Sequence, residues 1–431
     1  MKPDSLESWL GYLEQLHPIE IDLGLERVAS VAKVLGVLNP TATVFTVAGT
    51  NGKGSTCALL SSMLGTAGYR VGVYSSPHLL RYNERILLDG VQASDDQIVA
   101  SFERIEQARG AISLSYFEFA TLAALDLFTH SDLDAWILEV GLGGRLDAVN
   151  IIDADVAVVT SIAVDHEQWL GSELEGIGRE KAGIFRPFRP AVYGGRQANA
   201  GVSGEAQRIS ACWLARDEAF VQRLDGETWR YEGADRHGVP RTISGLPMPD
   251  LPYDNAATAI CALLSSPLNI SDDAICAGIR KARLAGRYQQ FKLHNPAGAP
   301  IHIVLDVAHN PQAAEVLCER LRESPAQGTT RCVIAMLDDK DVEGVVAALA
   351  PQCSDWFLSE LSSPRACPSE RLKAALEGIA CERFSLYSNV GNALAAAIEA
   401  SSPGDRILVA GSFLTVADAL NMVEPLHADP A

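Results

Sequence analysis

Residues 43–55 read TVFTVAGTNGKGS, and this stretch decides the fold class. Its first six residues are apolar and largely β-branched, as in a buried strand, and a glycine-rich turn then leads into a helix pattern from Ser55. Glycines let backbone N–H groups turn toward an anion, the helix start adds partial positive charge, and Lys53 can reach outer phosphates. The order of these elements indicates a phosphate-binding loop. The alternative is a glycine-rich turn with a solvated lysine.

This loop departs from the common G-x-x-x-x-G-K pattern. Val47 occupies the position of the first glycine, and Gly54 separates Lys53 from the hydroxyl of Ser55. The altered spacing argues against an ordinary P-loop kinase or GTPase.

Strand and helix patterns alternate through the rest of the chain, which is typical of parallel α/β sheets covered on both faces. We predict an α/β fold with one domain at 1–287, a linker at 288–298 and a smaller domain at 299–431. The pattern weakens at 194–251, which predicts loops and a small β region. The predicted strands are 43–48, 70–74, 135–140, 156–161, 301–305, 331–335 and 406–410, and the predicted helices are 55–67, 117–129, 255–264, 312–321 and 342–349.

Composition and charge exclude several classes of protein. The 431 residues carry a net charge of −19, which disfavours nucleic acid as a partner because phosphate backbones are held by clustered lysine and arginine. The sequence lacks a run of eighteen apolar residues, so we expect no membrane span. The N-terminus lacks the features of a signal peptide, which predicts a cytoplasmic protein. Nine cysteines without a CxxC pair argue against a disulfide framework or a zinc cluster.

Three predicted strands end beside residues that can bind a divalent metal. Glu139 stands at the carboxyl end of one strand, Asp165 and His166 follow a second, and Ser76 follows a third. Ligands bind at the carboxyl ends of strands in open α/β sheets. A donor set rich in oxygen suits Mg²⁺ or Mn²⁺ better than zinc. Taken singly, each residue is explained as well by an ordinary surface or turn position.

Eight motifs resemble the folylpolyglutamate synthase/dihydrofolate synthase family, a branch of the Mur-type ATP-dependent amide ligases. They occur in family order over almost the whole chain. Ala285 departs from the family pattern, since proline is expected there in L-P-G-R. The motifs are TVAGTNGKGS (46–55), YSSPHL (74–79), ILEVGLGGRLDAVN (137–150), VTSIAVDHEQWLG (159–171), REKAGIF (179–185), LAGRYQ (284–289), LDVAHNP (305–311) and VAGSF (409–413).

The resemblance implies a P-loop-type ATPase domain followed by a Rossmann-like domain, with ATP as co-substrate and two Mg²⁺ ions. It implies that Ser76, Glu139 and His166 bind the metal and that CO₂ carbamylates Lys181, which then becomes a further metal ligand. Lys53, Glu139, His166 and Lys181 would be the catalytic set. The implied ATP-binding residues are Thr50, Asn51, Gly52, Lys53, Gly54, Ser55, Asn255, Arg287 and Asp306.

The resemblance also implies a site for the pterin ring of the substrate. Phe117 could stack on a flat heterocycle, although a core aromatic explains it as well. The implied pterin- and folate-binding residues are Asp22, Gly24, Leu25, Phe117, Glu118, Leu146, Asp147 and Ala148.

The implied activity is that of an ATP-dependent acid–amino-acid ligase acting on small molecules. It would add L-glutamate to dihydropteroate, giving dihydrofolate, and to folate-polyglutamate tails. ATP would convert the acceptor carboxylate to an acyl phosphate that the glutamate amine attacks. The alternatives are a monofunctional folylpolyglutamate synthase, a Mur-type cell-wall precursor ligase and a nucleotide-binding regulator without catalysis. We expect a monomer.

Overall fold

The computed structural model describes residues 3–19 and 21–427, and the chain divides into two compact units after Arg283. Within the described ranges, no helix is both long and apolar enough to cross a membrane. The α/β class predicted from the sequence is confirmed in both units.

The first unit contains an eight-stranded sheet in the order β4-β3-β2-β5-β1-β6-β7-β8. The β2–β3 and β3–β4 pairs are antiparallel, and the other pairs are parallel. The strands are β1 (Thr43–Ala48), β2 (Val71–Tyr74), β3 (Ile86–Leu88), β4 (Val91–Gln92), β5 (Ala135–Glu139), β6 (Val156–Val159), β7 (Pro190–Tyr193) and β8 (Cys212–Ala215).

Helices and a small antiparallel sheet complete this unit. The small sheet has the order β11-β10-β9, with β9 (Val221–Asp225), β10 (Thr228–Ala234) and β11 (Pro240–Pro247). The helices are α1 (Leu6–Leu16), α2 (Glu26–Leu35), α3 (Lys53–Thr66), α4 (Asp95–Arg109), α5 (Tyr116–Thr129), α6 (Glu167–Leu170), α7 (Leu174–Lys181), α8 (Ala200–Arg208), α9 (Tyr253–Leu264) and α10 (Asp272–Lys281).

The register of the large sheet places the predicted site residues at the carboxyl ends of its central parallel strands. Val47 of β1 is paired with Glu139 of β5 on one side and with Val158 of β6 on the other. β1 is buried from Val44 to Ala48, as expected for a central strand covered on both faces. The loops that follow these three parallel strands therefore start side by side.

The second unit contains a six-stranded sheet in the order β12-β13-β17-β14-β15-β16, in which only the β12–β13 pair is antiparallel. Its strands are β12 (Gln289–His294), β13 (Pro300–Leu305), β14 (Thr330–Ile334), β15 (Asp355–Ser359), β16 (Phe384–Tyr387) and β17 (Arg406–Ala410). Its helices are α11 (Pro311–Glu323), α12 (Val342–Leu349), α13 (Ser369–Gly378), α14 (Val390–Glu399) and α15 (Phe413–His427).

Two segments differ from the sequence prediction. The predicted linker at 288–298 instead carries β12 and the turn that joins it to β13. In β12, Phe291 and Leu293 are buried and alternate with exposed polar residues, so the segment belongs to the sheet. The region 194–251 contains the predicted small β region, but it also contains α8 and β8, and β8 extends the large parallel sheet.

Candidate active site

The predicted phosphate loop is fastened to the segment that follows β6. The Thr50 amide donates to the Ser161 carbonyl at 2.8 Å, and the Asn51 amide donates to the Ser161 hydroxyl at 3.1 Å. Helix α3 begins at Lys53, and its N-cap residue is Gly52, which has a φ of +85° and no side chain that could cap the helix. Uncapped amides at a helix start can bind an anion. This geometry suits a nucleotide phosphate.

Asn255 in the first turn of α9 lies against this loop. A Cβ atom at Gly52 would be 2.8 Å from both the Oδ1 and the Nδ2 of Asn255, so only glycine fits there without displacement. Ser55 is buried in the first turn of α3 and follows Gly54. The structure thus brings together the predicted nucleotide-binding residues of the first unit.

Two lysines converge on one carbonyl of the loop. Lys53 Nζ donates to Gly49 O at 3.1 Å, and Lys181 Nζ donates to the same oxygen at 3.3 Å. Lys181 is 5% exposed, and its burial together with the nearby Lys53 charge lowers its pKa to about 7, although Asp165 and other carboxylates oppose the shift. A substantial fraction of its amine is therefore neutral near pH 7, and the neutral amine is the form that combines with CO₂.

The predicted metal ligands lie at the same edge of the sheet. Glu139 is 4% exposed at the end of β5, and the Ser76 amide donates to Glu139 Oε2 at 3.4 Å. His166 is exposed with a φ of +55°, and its Nε2 lies 4.0 Å from Asp165 Oδ2.

These residues could supply some of the ligands of a Mg²⁺ ion, but not all of them. Across the described residues, no group of three or more His, Cys, Asp and Glu side chains is arranged to hold a metal ion. Mg²⁺ is commonly bound by one or two carboxylates, with substrate phosphates and water filling the other positions. A buried carboxylate beside an open phosphate loop suits that mode of binding.

Asp147 fastens the loop that joins β5 to the following 3₁₀ turn (Ala148–Ile151). Its Oδ2 accepts hydrogen bonds from the amides of Gly141 at 3.0 Å and Leu142 at 2.9 Å, and its Oδ1 accepts one from Val149 at 3.1 Å. Burial raises the pKa of Asp147 to about 6 against the lowering effect of these bonds. The structure therefore gives Asp147 a part in shaping the loop, which the sequence pattern did not reveal.

The same loop is packed onto the end of α7. A Cβ atom at Gly144 would be 2.6 Å from the Lys181 carbonyl oxygen. The Arg145 amide donates to the Glu180 carbonyl at 2.9 Å, and the two side chains form an ion pair at 2.9 Å. This close packing holds the backbone of Lys181 in place.

Five side chains form a polar chain through the predicted pterin region. Arg27 bridges two predicted residues: its Nη1 lies 2.7 Å from Asp22 Oδ2, and its Nη2 lies 3.2 Å from Glu118 Oε1. His17 Nε2 lies 3.1 Å from Asp22 Oδ2, and His17 Nδ1 lies 2.8 Å from the Ser113 hydroxyl. The sequence analysis missed Arg27, His17 and Ser113. The sequence signal that could have revealed two of them is their spacing, since His17 lies five residues before Asp22 and Arg27 lies five residues after it.

The other predicted substrate residues border two loops. The ring of Phe117 lies against Gly141, where a Cβ atom would be 2.5 Å from it, and packs 6.0 Å from the Tyr74 ring. Leu25 directly precedes α2, and Gly24 precedes Leu25. Leu146 is half-buried, whereas Ala148 is buried at the start of the 3₁₀ turn. Phe117 is thus partly exposed and partly a packing residue.

In the second unit, the three predicted motifs meet at the ends of β13 and β17. Asp306 accepts hydrogen bonds from the amides of Tyr288 at 2.8 Å and Ala308 at 2.9 Å. Burial raises the pKa of Asp306, although the neighbouring Arg287 opposes this shift. The Arg287 guanidinium stacks 4.9 Å above the ring of Phe413. The structure therefore brings Arg287 and Asp306 close to each other.

The fold and these sites define a Mur-type ligase. Residues 47–197 match the Mur ligase middle domain, and residues 286–413 match the glutamate ligase domain of Mur ligases.

Full-length relatives give a narrower family. The dihydrofolate synthase/folylpolyglutamate synthase of Escherichia coli (strain K12) is 48% identical over 419 residues, covering 97% of this chain and 96% of the relative. The solved structure of E. coli FolC in complex with DHPP and ADP is 47% identical, with a TM-score of 0.92 and coverage of 98% and 99%. A bifunctional folylpolyglutamate synthase/dihydrofolate synthase with Mn, AMPPNP and L-glutamate bound is 44% identical, with a TM-score of 0.90 and 98% of each chain covered. The chain belongs to the dihydrofolate synthase/folylpolyglutamate synthase family.

Proposed function

We propose that this protein is an ATP-dependent ligase that adds L-glutamate both to dihydropteroate, giving dihydrofolate, and to folate-polyglutamate tails. The observation that carries the proposal is the edge of the large sheet where the phosphate loop, Glu139 and Lys181 lie together. The names and bound ligands of the full-length relatives support the same activity and both of its acceptors.

The chemistry divides into two steps. The acceptor carboxylate attacks the terminal phosphorus of ATP, ADP leaves, and an acyl phosphate forms. The glutamate amine then attacks the acyl carbon, loses a proton and expels phosphate, which leaves an amide bond. The acceptor carboxylate needs this activation because its own oxygen is a poor leaving group.

The protein's part is to position substrates and to offset negative charge. The start of α3 would hold the phosphates through its backbone N–H groups, and Lys53 would turn from Gly49 O to the outer phosphate oxygens. Asn255 would contact the nucleotide beside Gly52, and Arg287 and Asp306 are further proposed nucleotide-binding residues. Arg27, Asp22 and Glu118 would recognise the polar edge of the pterin, with Phe117 against its face.

Two Mg²⁺ ions are part of the proposal, held by Ser76, Glu139, His166 and a carbamate on Lys181. When bound, they would neutralise the crowded phosphate charge. The burial of Lys181 beside Lys53 and its place at the phosphate loop support the carbamate. Intact-mass measurement of the native protein in CO₂-containing buffer should show the added group. A crystallographic map with a bare Lys181 amine under those conditions would count against it.

A cytoplasmic location and a monomeric state stay predictions of the sequence.

Phosphate release tests the activity. With ATP, Mg²⁺ and L-glutamate, we expect release with dihydropteroate and also with tetrahydrofolate as acceptor, and none without glutamate. Release with tetrahydrofolate alone would leave a monofunctional folylpolyglutamate synthase. Release with neither would refute the proposal and direct the assay to cell-wall precursors.

A further inference from the structure

A second polar cluster lies one residue from the nucleotide site. It is centred on Asp254, in the first turn of α9, whose side chain is 13% exposed. Arg196 Nε lies 2.7 Å and Arg216 Nη1 lies 3.0 Å from Asp254 Oδ2, and Gln222 Nε2 donates to Asp254 Oδ1 at 2.8 Å. The proposed function assigns no role to these four residues, which we call the Asp254 cluster.

The cluster ties several segments of the first unit to the start of one helix. Arg196 follows β7, Arg216 follows β8 and Gln222 lies on β9. Burial would raise the pKa of Asp254, but the charges of Arg216 and Arg196 outweigh burial and lower it, so the carboxylate is ionised. Hydrogen bonds between charged groups are stronger than those between neutral groups. The first turn of α9 is therefore held from outside the helix by hydrogen bonds from Arg196 and Gln222 and by the ion pair with Arg216.

The residue that this turn positions is Asn255. Its carboxamide fits closely against Gly52, where an added Cβ atom would be 2.8 Å from both terminal atoms. Such a close fit allows little displacement before Asn255 either collides with the phosphate loop or withdraws from it. The location of Asp254 thus determines where the Asn255 carboxamide stands relative to bound nucleotide.

We propose that Asp254 is a positioning residue for nucleotide binding, which acts through Asn255 and is held by Arg196, Arg216 and Gln222. The inference depends on the proposed function, since it assumes that Asn255 and the phosphate loop bind ATP. Asp254 itself need not touch the nucleotide. Its effect should fall on nucleotide affinity and leave the chemical step nearly unchanged.

The test is Asp254→Asn in the full-length protein, with ADP and Mg²⁺ as the binding probe. We expect the Kd for ADP and the KM for ATP to rise about tenfold, because a charge-assisted network is lost, with kcat within about twofold of wild type. The matched control is Asp217→Asn, because Asp217 lies 3.6 Å from the same Arg216 but is 67% exposed. The control should bind ADP like wild type. Equal ADP affinity in Asp254→Asn and wild type would overturn the inference.

A double-mutant cycle with Asn255→Ala separates positioning from a general loss of structure. If Asp254 acts through Asn255, adding Asp254→Asn to Asn255→Ala should weaken ADP binding no further. Additive losses would overturn the inference. Should Asp254→Asn fold poorly, Arg196→Gln is the substitute, because it removes the ion pair between a half-exposed arginine and Asp254. We then expect the Kd for ADP to rise about two- to threefold, since such an ion pair is weak. Wild-type protein that fails to bind ADP would refute the proposed function, whereas normal wild-type binding with no effect of Asp254 refutes the inference alone.

Discussion

Lys53 is the single side chain on which the proposed chemistry depends most. In this structure its ammonium group is held by the carbonyls of Gly49 and Thr50, at 3.1 and 3.4 Å. We predict that Lys53→Ala lowers kcat for glutamate-dependent phosphate release by about 100- to 1,000-fold, as is typical when one electrostatic contact to the transition state is lost. The folded protein should keep its far-ultraviolet circular dichroism spectrum.

Lys33→Ala is the matched control, since Lys33 is exposed on the last turn of α2. It removes the same charge and should leave turnover unchanged. Turnover near the wild-type rate in Lys53→Ala would contradict the assignment of the phosphate loop.

At this scale, the sequence revealed residues that stand where strands end but not residues whose role depends on distant partners. Glu139 was recognisable because a carboxylate in an apolar strand is poorly explained by packing. Asp147 was recognisable only as part of a motif. The three hydrogen bonds that it accepts from backbone amides follow from the path of the loop. The pairing of Arg27 with Glu118 joins residues 91 positions apart, which no local pattern encodes.

Among the elements, the contact between the loop after β5 and the end of α7 allows a sharp test. A Cβ atom at Gly144 would be 2.6 Å from Lys181 O and 2.9 Å from Glu180 O, and both are backbone atoms that cannot turn away. We predict that Gly144→Ala destabilises the protein by about 1–3 kcal/mol and lowers activity because the backbone of Lys181 shifts. Chemical denaturation and the phosphate-release assay measure the two effects.

Gly204→Ala is the control for this substitution. Gly204 lies inside α8 and has no neighbour within 4 Å of an added Cβ atom. Alanine is the better helix former, so this variant should gain about 0.5–1 kcal/mol and keep full activity. Equal stability of the two alanine variants would refute the close packing at Gly144.

Helix α8 and strand β8 are two of the elements that the sequence patterns did not predict. Helix α8 contains two glycines and few apolar residues, and Gly201 is needed because a Cβ atom there would be 1.9 Å from the Glu175 carbonyl oxygen. Strand β8 is an edge strand of four apolar residues, and so short an apolar run cannot be told from a helix segment by periodicity alone. The central strands β1, β5 and β6 were predicted correctly, since burial on both faces requires apolar residues throughout.

Asp405 fixes the start of β17 and makes the stability of the second unit depend on pH. It is 4% exposed, accepts hydrogen bonds from the amides of Thr329 at 2.6 Å and Ser402 at 2.7 Å, and pairs with Arg331. Burial would raise the pKa of Asp405, but these donors outweigh burial and hold the pKa below its usual range. The ionised carboxylate therefore stabilises the fold above about pH 4, and this contribution is lost as pH falls through the folded-state pKa.

We predict that Asp405→Asn lowers the free energy of unfolding of the second unit by about 1–3 kcal/mol at pH 7 and by less at pH 3. Urea denaturation of wild type and variant at the two pH values gives the comparison. Glu399→Gln, at an exposed carboxylate of the same unit, should change stability little at either pH. A loss for Asp405→Asn that is equal at pH 7 and pH 3 would rule out the ionised carboxylate as the cause.

For the whole molecule, the division into two units has a thermodynamic consequence. Each unit has its own cluster of buried apolar side chains, with Phe102 in the first and Trp356 in the second. Truncating a buried aromatic residue to alanine costs about 3–5 kcal/mol, which in a unit of this size lowers the melting midpoint by on the order of 10 °C. Calorimetry should show two unfolding transitions, one for each unit. Phe102→Ala should lower the melting midpoint of the first unit alone, and Trp356→Ala should lower that of the second unit alone. If either variant lowers both transitions equally, the two cores unfold as one cooperative structure and the boundary after Arg283 has no energetic meaning.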